Sequence, residues 1–170
     1  DGPGNYLLSI SPNGSNPLNR FQISNNAIID IVNWGSISWS SFEYAFRNKD
    51  TLKITASDSP NLSSATSMFQ AMSNISHFEV PNINNWDVSN ITNMQGLFED
   101  ARSFNLDISN WDVGNVTKMK LMFYGNHLFN QDITNWNVSN VENMRQMFQG
   151  AKAFNQNIGS WDVSNVLTMS

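Results

Sequence analysis

"NWDVSNITNM", residues 85–94, returns as "NWDVGNVTKM" at 110–119, as "NWNVSNVENM" at 135–144 and as "SWDVSNVLTM" at 160–169. A catalytic centre needs a few residues once, gathered from distant parts of a fold. A phrase rewritten at a fixed interval instead marks one small unit stacked on copies of itself. Trp86, Trp111, Trp136 and Trp161 set the interval at 25 residues. The same step links Met94, Met119, Met144 and Met169, then Phe98, Phe123 and Phe148, then Phe104, Phe129 and Phe154. Upstream the phrase weakens but keeps phase. Met68, Met72 and Phe78 match Met94, Phe98 and Phe104, with Pro60 in the tryptophan slot; Phe42, Phe46 and Leu52 match again, with Trp34 in it. The early steps, 34 to 60 to 86, are 26 residues each.

Each unit divides into halves of different period. Ile108, Trp111 and Val113 follow an L-x-x-L-x-L spacing whose last positions alternate as in a strand with one buried face. Val116, Met119, Met122 and Phe123 then fall at i, i+3, i+6 and i+7, one face of a short helix, and Ser139 with Glu142 has capping-box spacing. One strand and one short helix in 20–29 residues is the pattern of a leucine-rich repeat. The expected fold is therefore an α/β repeat solenoid, leucine-rich-repeat-like, of about five strand-plus-short-helix units of 25–26 residues. Asn90, Asn115, Asn140 and Asn165 follow the expected strands, where an amide can cap the helix or hydrogen-bond backbone of its own and the neighbouring turn.

Two domains are expected, residues 1–27 and residues 28–170. In the first, "NYLLSI" and "RFQISNNAIIDI" read as strands around the turn-rich "SPNGSNP". This hairpin either caps the apolar end of the first unit as an N-terminal β cap or is the remnant of an upstream domain. The chain opens at "DGPGNYLLSI" and closes inside the repeated phrase, so both ends read as cuts through a longer polypeptide.

The phrase W-D-V-S-N-V-T-N-M, followed by M-F and by A-x-x-F-N-Q-D-I, resembles the BspA-like leucine-rich-repeat surface proteins over roughly residues 28–170. Pro60 in the tryptophan slot and Asn126 in the alanine slot depart from that pattern. The resemblance implies a bacterial, secreted or cell-surface protein associated with adhesion, and it carries no catalytic residues.

Composition narrows the classes further. Charged residues are 14% of the chain, and the net charge is −5 with nine basic residues in no cluster, which argues against a nucleic-acid partner. No apolar run is long enough to insert in a membrane. The absence of cysteine removes zinc-thiolate sites, thiol nucleophiles and disulfides. His77 and His127 occupy non-equivalent repeat positions and read as surface residues, and the chain contains no hydrolase or nucleotide-binding motif. An enzyme is not expected.

One surface rises above this background. Between the inward tryptophan and valine of each unit stands an outward residue: Asp87, Asp112, Asn137 and Asp162, flanked by Asn85, Asn110 and Asn135. These seven residues are the candidate ligand-binding set. Stacked at about 4.8 Å they form columns in which neighbouring carboxylates repel. Hydrogen bonds within the polar columns, or calcium between Asp87 and Asp112, would offset that repulsion; no other cofactor is expected. The expected partners are a host or matrix protein, or a glycan, met outside the cell. A spacer that holds another domain away from the surface is the alternative. Gln95, Glu99, Arg102, Lys118, Lys120, Tyr124, Arg145, Gln146 and Lys152 vary from unit to unit and are expected on the opposite, helical face.

Overall fold

The computed structural model describes residues 29–49 and 51–170; the expected N-terminal domain of residues 1–27 lies outside them, and of the stretch read as its second strand only Ile29–Ile31 is described. Three short parallel strands, β1 (Ile29–Ile31), β2 (Thr51–Ile54) and β3 (His77–Glu79), pair in the order β1-β2-β3, with Leu52 opposite Phe78. A single 3₁₀ turn spans Ile83–Asn85. No α-helix occurs among the described residues, and most of the chain is turns and loops. This corrects the expectation of a strand-plus-helix leucine-rich-repeat architecture.

The displaced elements have a physical explanation. Residues 111–113, read as a strand, belong to none. Parallel bridging occurs instead along Ser67, Asn93, Lys118, Asn143 and Thr168, inside the segment read as a helix. A helix would send each N–H to the carbonyl four residues back. Here the N–H groups of Met119, Leu121, Phe123 and Gly125 cross to the carbonyls of Asn143, Arg145, Met147 and Gln149, at 2.9, 3.0, 2.9 and 2.8 Å. Those of Met122 and Asn126 close four-residue turns on Met119 and Phe123, both at 3.1 Å. The third residue of each turn is left-handed, Leu121 at φ 60° and Gly125 at φ 66°. Two chained turns thus bury Met119, Met122 and Phe123 at i, i+3 and i+4, the spacing that imitates a helix face.

The backbone account is similar in the units on either side. Met94, Gly96, Phe98 and Asp100 donate to Lys118, Lys120, Met122 and Tyr124, while Leu97 and Ala101 close turns on Met94 and Phe98. The copies therefore lie on one another in parallel register, with alternate N–H groups joining neighbours and the remainder folding each unit. This distribution satisfies buried backbone donors without regular secondary structure.

The core fills the inside of the stack in columns. Phe98, Phe123 and Phe148 stack at 5.7 and 5.6 Å, and Phe104, Phe129 and Phe154 at 5.9 Å per step. Within a unit the two columns touch, as Phe123 does Phe129 at 4.0 Å. The tryptophans add a polar tie. Trp111 Nε1 donates to the Ile83 carbonyl at 2.8 Å, Trp136 to Ile108 at 3.3 Å and Trp161 to Ile133 at 3.2 Å. Each indole fills its own unit and bonds the one before. Burying both the ring and its N–H makes this column a large contributor to stacking.

Candidate recognition face

The expected ligand-binding residues are all on the surface. Asp87, Asp112, Asn137 and Asp162 are exposed, as are Asn85, Asn110 and Asn135. Buried Trp–Val pairs hold Asp87, Asp112 and Asn137 outward: Trp111 and Val113 point into the core, so Asp112 between them points away.

Each residue of that column caps its own turn. Asp87 Oδ1 accepts the Ser89 N–H at 3.1 Å and the Ser89 hydroxyl at 2.6 Å. Asp112 accepts from Gly114 N–H at 3.0 Å, Asn137 from Ser139 N–H at 3.2 Å and hydroxyl at 2.7 Å, and Asp162 from Ser164 N–H at 3.0 Å. An oxygen two residues before the donor is the geometry Asp and Asn supply best. The Ser89 hydroxyl, then its N–H, holds the Asp87 carboxyl below the usual range, and Ser164 does the same for Asp162. Hydrogen bonds within each turn therefore take up one oxygen of every member. No group of three or more His, Cys, Asp or Glu that could hold a metal occurs among the described residues.

Beside this column runs the asparagine column. Asn90, Asn115, Asn140 and Asn165 donate Nδ2 to the carbonyls of Ser63, Ser89, Gly114 and Ser139 at 3.4, 2.8, 2.7 and 2.7 Å. They bond the neighbouring unit from the solvent side, where all four are exposed. A shallow polar trough of about 530 Å³ runs beside them, lined by Asn115, Thr117, Asn140, Glu142, Asn165 and Leu167. A separate apolar cavity of about 620 Å³, walled by residues such as Phe148, Trp161 and Met169, opens near Ser170.

A second capping column was not singled out from the sequence. Asp107 accepts the Ser109 N–H at 2.9 Å, Asp132 the Thr134 N–H at 3.0 Å and hydroxyl at 2.7 Å, and Asn157 the Gly159 N–H at 3.2 Å. The Thr134 hydroxyl, then its N–H, lowers the Asp132 carboxyl. Its signal was present in "LDISNW", "QDITNW" and "QNIGSW", which place Asp or Asn two residues before Ser, Thr or Gly in every regular copy. In the "FNQ" segments, Asn130 and Asn155 N–H groups donate to Asn105 and Asn130 Oδ1, both at 2.9 Å. Gln131 and Gln156 Nε2 reach the Asn105 and Asn130 carbonyls, also at 2.9 Å.

These features define a class: a repeat protein of stacked units, without α-helix among the described residues, bonded copy to copy by backbone, indole and amide, with periodic polar columns outside. Residues 63–170, more than half of the chain, match the family described as Mycoplasma protein of unknown function, DUF285. The chain belongs to that family. No curated protein and no solved structure matches it. No helix among the described residues is long and apolar enough to cross a membrane.

Proposed function

We propose that this chain is a recognition and adhesion module, exposed outside the cell, that takes a host or matrix protein or an extended glycan across its polar face. The reading gives the chain no catalytic role. The observation that carries it is the in-register exposure of Asn85, Asn110 and Asn135 beside Asp87, Asp112, Asn137 and Asp162. Each unit offers nearly the same polar group in the same setting, on a backbone fixed by bonds to both neighbours. A repetitive ligand can meet such a surface once per unit, and several weak contacts then add as one multivalent attachment.

One observation favours the spacer reading as the alternative. Many donors of this face are used by the chain itself: the Ser89 and Ser139 hydroxyls on their own turns, and the Asn115, Asn140 and Asn165 amides on neighbouring carbonyls. Polar columns that hold a stack together need no ligand.

Binding of the chain to arrayed matrix proteins and glycans separates the two. For a ligand found there, Asn110→Arg with Asn135→Arg places bulk on the face without touching a turn cap. The proposal expects about a tenfold or greater loss of affinity at unchanged melting temperature. Full retention of binding in that variant, or an array with no ligand, sinks the recognition reading and leaves the spacer.

A further inference from the structure

A second surface, separate from the polar face and independent of that proposal, carries the opposite charge. Lys120 and Arg145 are the second residues of equivalent turns, Met119–Met122 and Met144–Met147, each closed at 3.1 Å. The Leu121 N–H donates to the Arg145 carbonyl at 3.0 Å, and Lys118 bridges Asn143 in parallel. Lys120 and Arg145 therefore hold the same place in adjoining units, about 4.8 Å apart along the stack. Lys118 lies two residues before Lys120 on the same segment and is exposed, as is Arg145, while Lys120 is half-buried.

This arrangement runs against the rest of the molecule. The chain has 14 acidic and nine basic residues, yet the one ion pair among the described residues is Lys53 with Glu79 at 3.4 Å. Among the described residues, none of Lys118, Lys120 and Arg145 has a carboxylate at ion-pair distance. The Glu99 carboxylate, in the unit below, accepts from the Gln70 amide at 2.6 Å, and neither it, nor Asp100 beside Gly125, nor Glu142 beside Asn143 forms an ion pair with any of the three. Like charges in directly paired positions destabilise a ladder. The corner position itself does not require charge, since Phe69 and Gln95 hold it in earlier units. Beside the cations, Leu121 and Tyr124 are half-buried. Leu121 stands at the left-handed corner of its turn, φ 60°, a place held by Gly96 in the preceding unit and by Gln146 in the next.

We infer that Lys118, Lys120 and Arg145, with Leu121 and Tyr124, form a docking surface for a short acidic segment of a partner protein, its carboxylates on the cations and an apolar residue on Leu121 and Tyr124. Charge complementarity selects the sign of the partner, and Arg145 can take a carboxylate through two parallel N–H bonds. The net charge of −5 selects its length. A long polyanion meets repulsion from the Asp columns beyond the patch, whereas a run of two or three carboxylates is neutralised within it. Tyrosine and arginine together are also the composition of protein-binding anchors.

The test uses fluorescence anisotropy on the whole chain with a labelled short peptide of alternating glutamate and leucine, beside its glutamine analogue. The glutamate peptide should bind, the analogue should not, and Lys120→Ala with Arg145→Ala should weaken binding by about tenfold or more. Arg145→Glu gives a readout that simple misfolding cannot imitate. It should abolish binding while raising Tm by about 1–3 °C, because repulsion with Lys120 becomes attraction. The inference is overturned if the glutamate peptide fails to bind or its analogue binds as well. It is equally overturned if a heparin fragment or an anionic vesicle binds more tightly, or if Arg145→Glu lowers Tm.

Discussion

Replacing Asn126 by alanine should make the protein more stable. Asn126 is fully buried, and its Nδ2 has no hydrogen-bond partner. Its Oδ1 accepts the Phe129 N–H at 3.2 Å. The equivalent residues one unit below and above are Ala101 and Ala151, and there the backbone carbonyl takes that role, at 3.0 Å from Phe104 N and 3.2 Å from Phe154 N. An alanine at 126 can adopt the same turn, so the Phe129 bond is exchanged rather than lost. Relief of the orphan donor is worth about 1–3 kcal/mol. Against it stands a void of at most a few tens of Å³, costing roughly 0.5–1 kcal/mol at about 24 cal/mol per Å³. The balance is a gain of up to about 2.5 kcal/mol, or a rise in Tm of up to about 5–10 °C for a chain of this size. Calorimetry or urea denaturation of Asn126→Ala measures it, with Ala101→Asn as the mirror experiment, expected to destabilise. A fall in Tm for Asn126→Ala would show that the buried amide is satisfied and would refute this accounting.

Two further outcomes follow from the same contacts. Trp111→Ala should lose about 3–5 kcal/mol, because it empties a buried ring site and leaves the Ile83 carbonyl without its 2.8 Å donor; a Tm change no larger than that of a surface substitution would place the ring outside the core. Asp87, Asp132 and Asp162 are all held below the ordinary carboxylate pKa in the folded state, so on acidification the unfolded chain takes up these protons first. Their stabilising contribution is complete above about pH 4 and is lost as pH falls through the folded values. Tm should decline on that acid limb, and a triple Asp→Asn variant at the three positions should flatten it, since Asn137 shows that an amide oxygen caps the same turn; an unaltered acid limb in the variant would remove these carboxylates from the account.

The repeat and its core were legible in the sequence because burial follows side-chain chemistry. Trp86, Trp111 and Trp136, Met94, Met119 and Met144, and Phe98, Phe104, Phe123 and Phe129 lie inside at the spacing the letters give. The outward placement of Asp87, Asp112 and Asn137 was legible for the same reason, as the exposed position between a buried Trp and a buried Val. Local geometry was not. An i, i+3, i+4 pattern is shared by a helix and by two chained turns, and what separates them is the sign of φ at Leu121, Gly125 and Gln146. Gly96, Gly125 and Gly150 carried a hint of left-handed backbone, but Leu121 and Gln146 concealed it. The bridging residues Asn93, Lys118 and Asn143 have little intrinsic preference for strands, so the parallel contacts were displaced from Trp–Asp–Val to a segment with no strand signature.

Scalar couplings across hydrogen bonds, measured by NMR on isotopically labelled protein, test the helix-free stack most directly. The Leu121 nitrogen should couple to the Arg145 carbonyl carbon and the Phe123 nitrogen to that of Met147, following the bonds at 3.0 and 2.9 Å. Coupling of Leu121 to Thr117 and of Phe123 to Met119, each four residues back in a helical ladder, would contradict it.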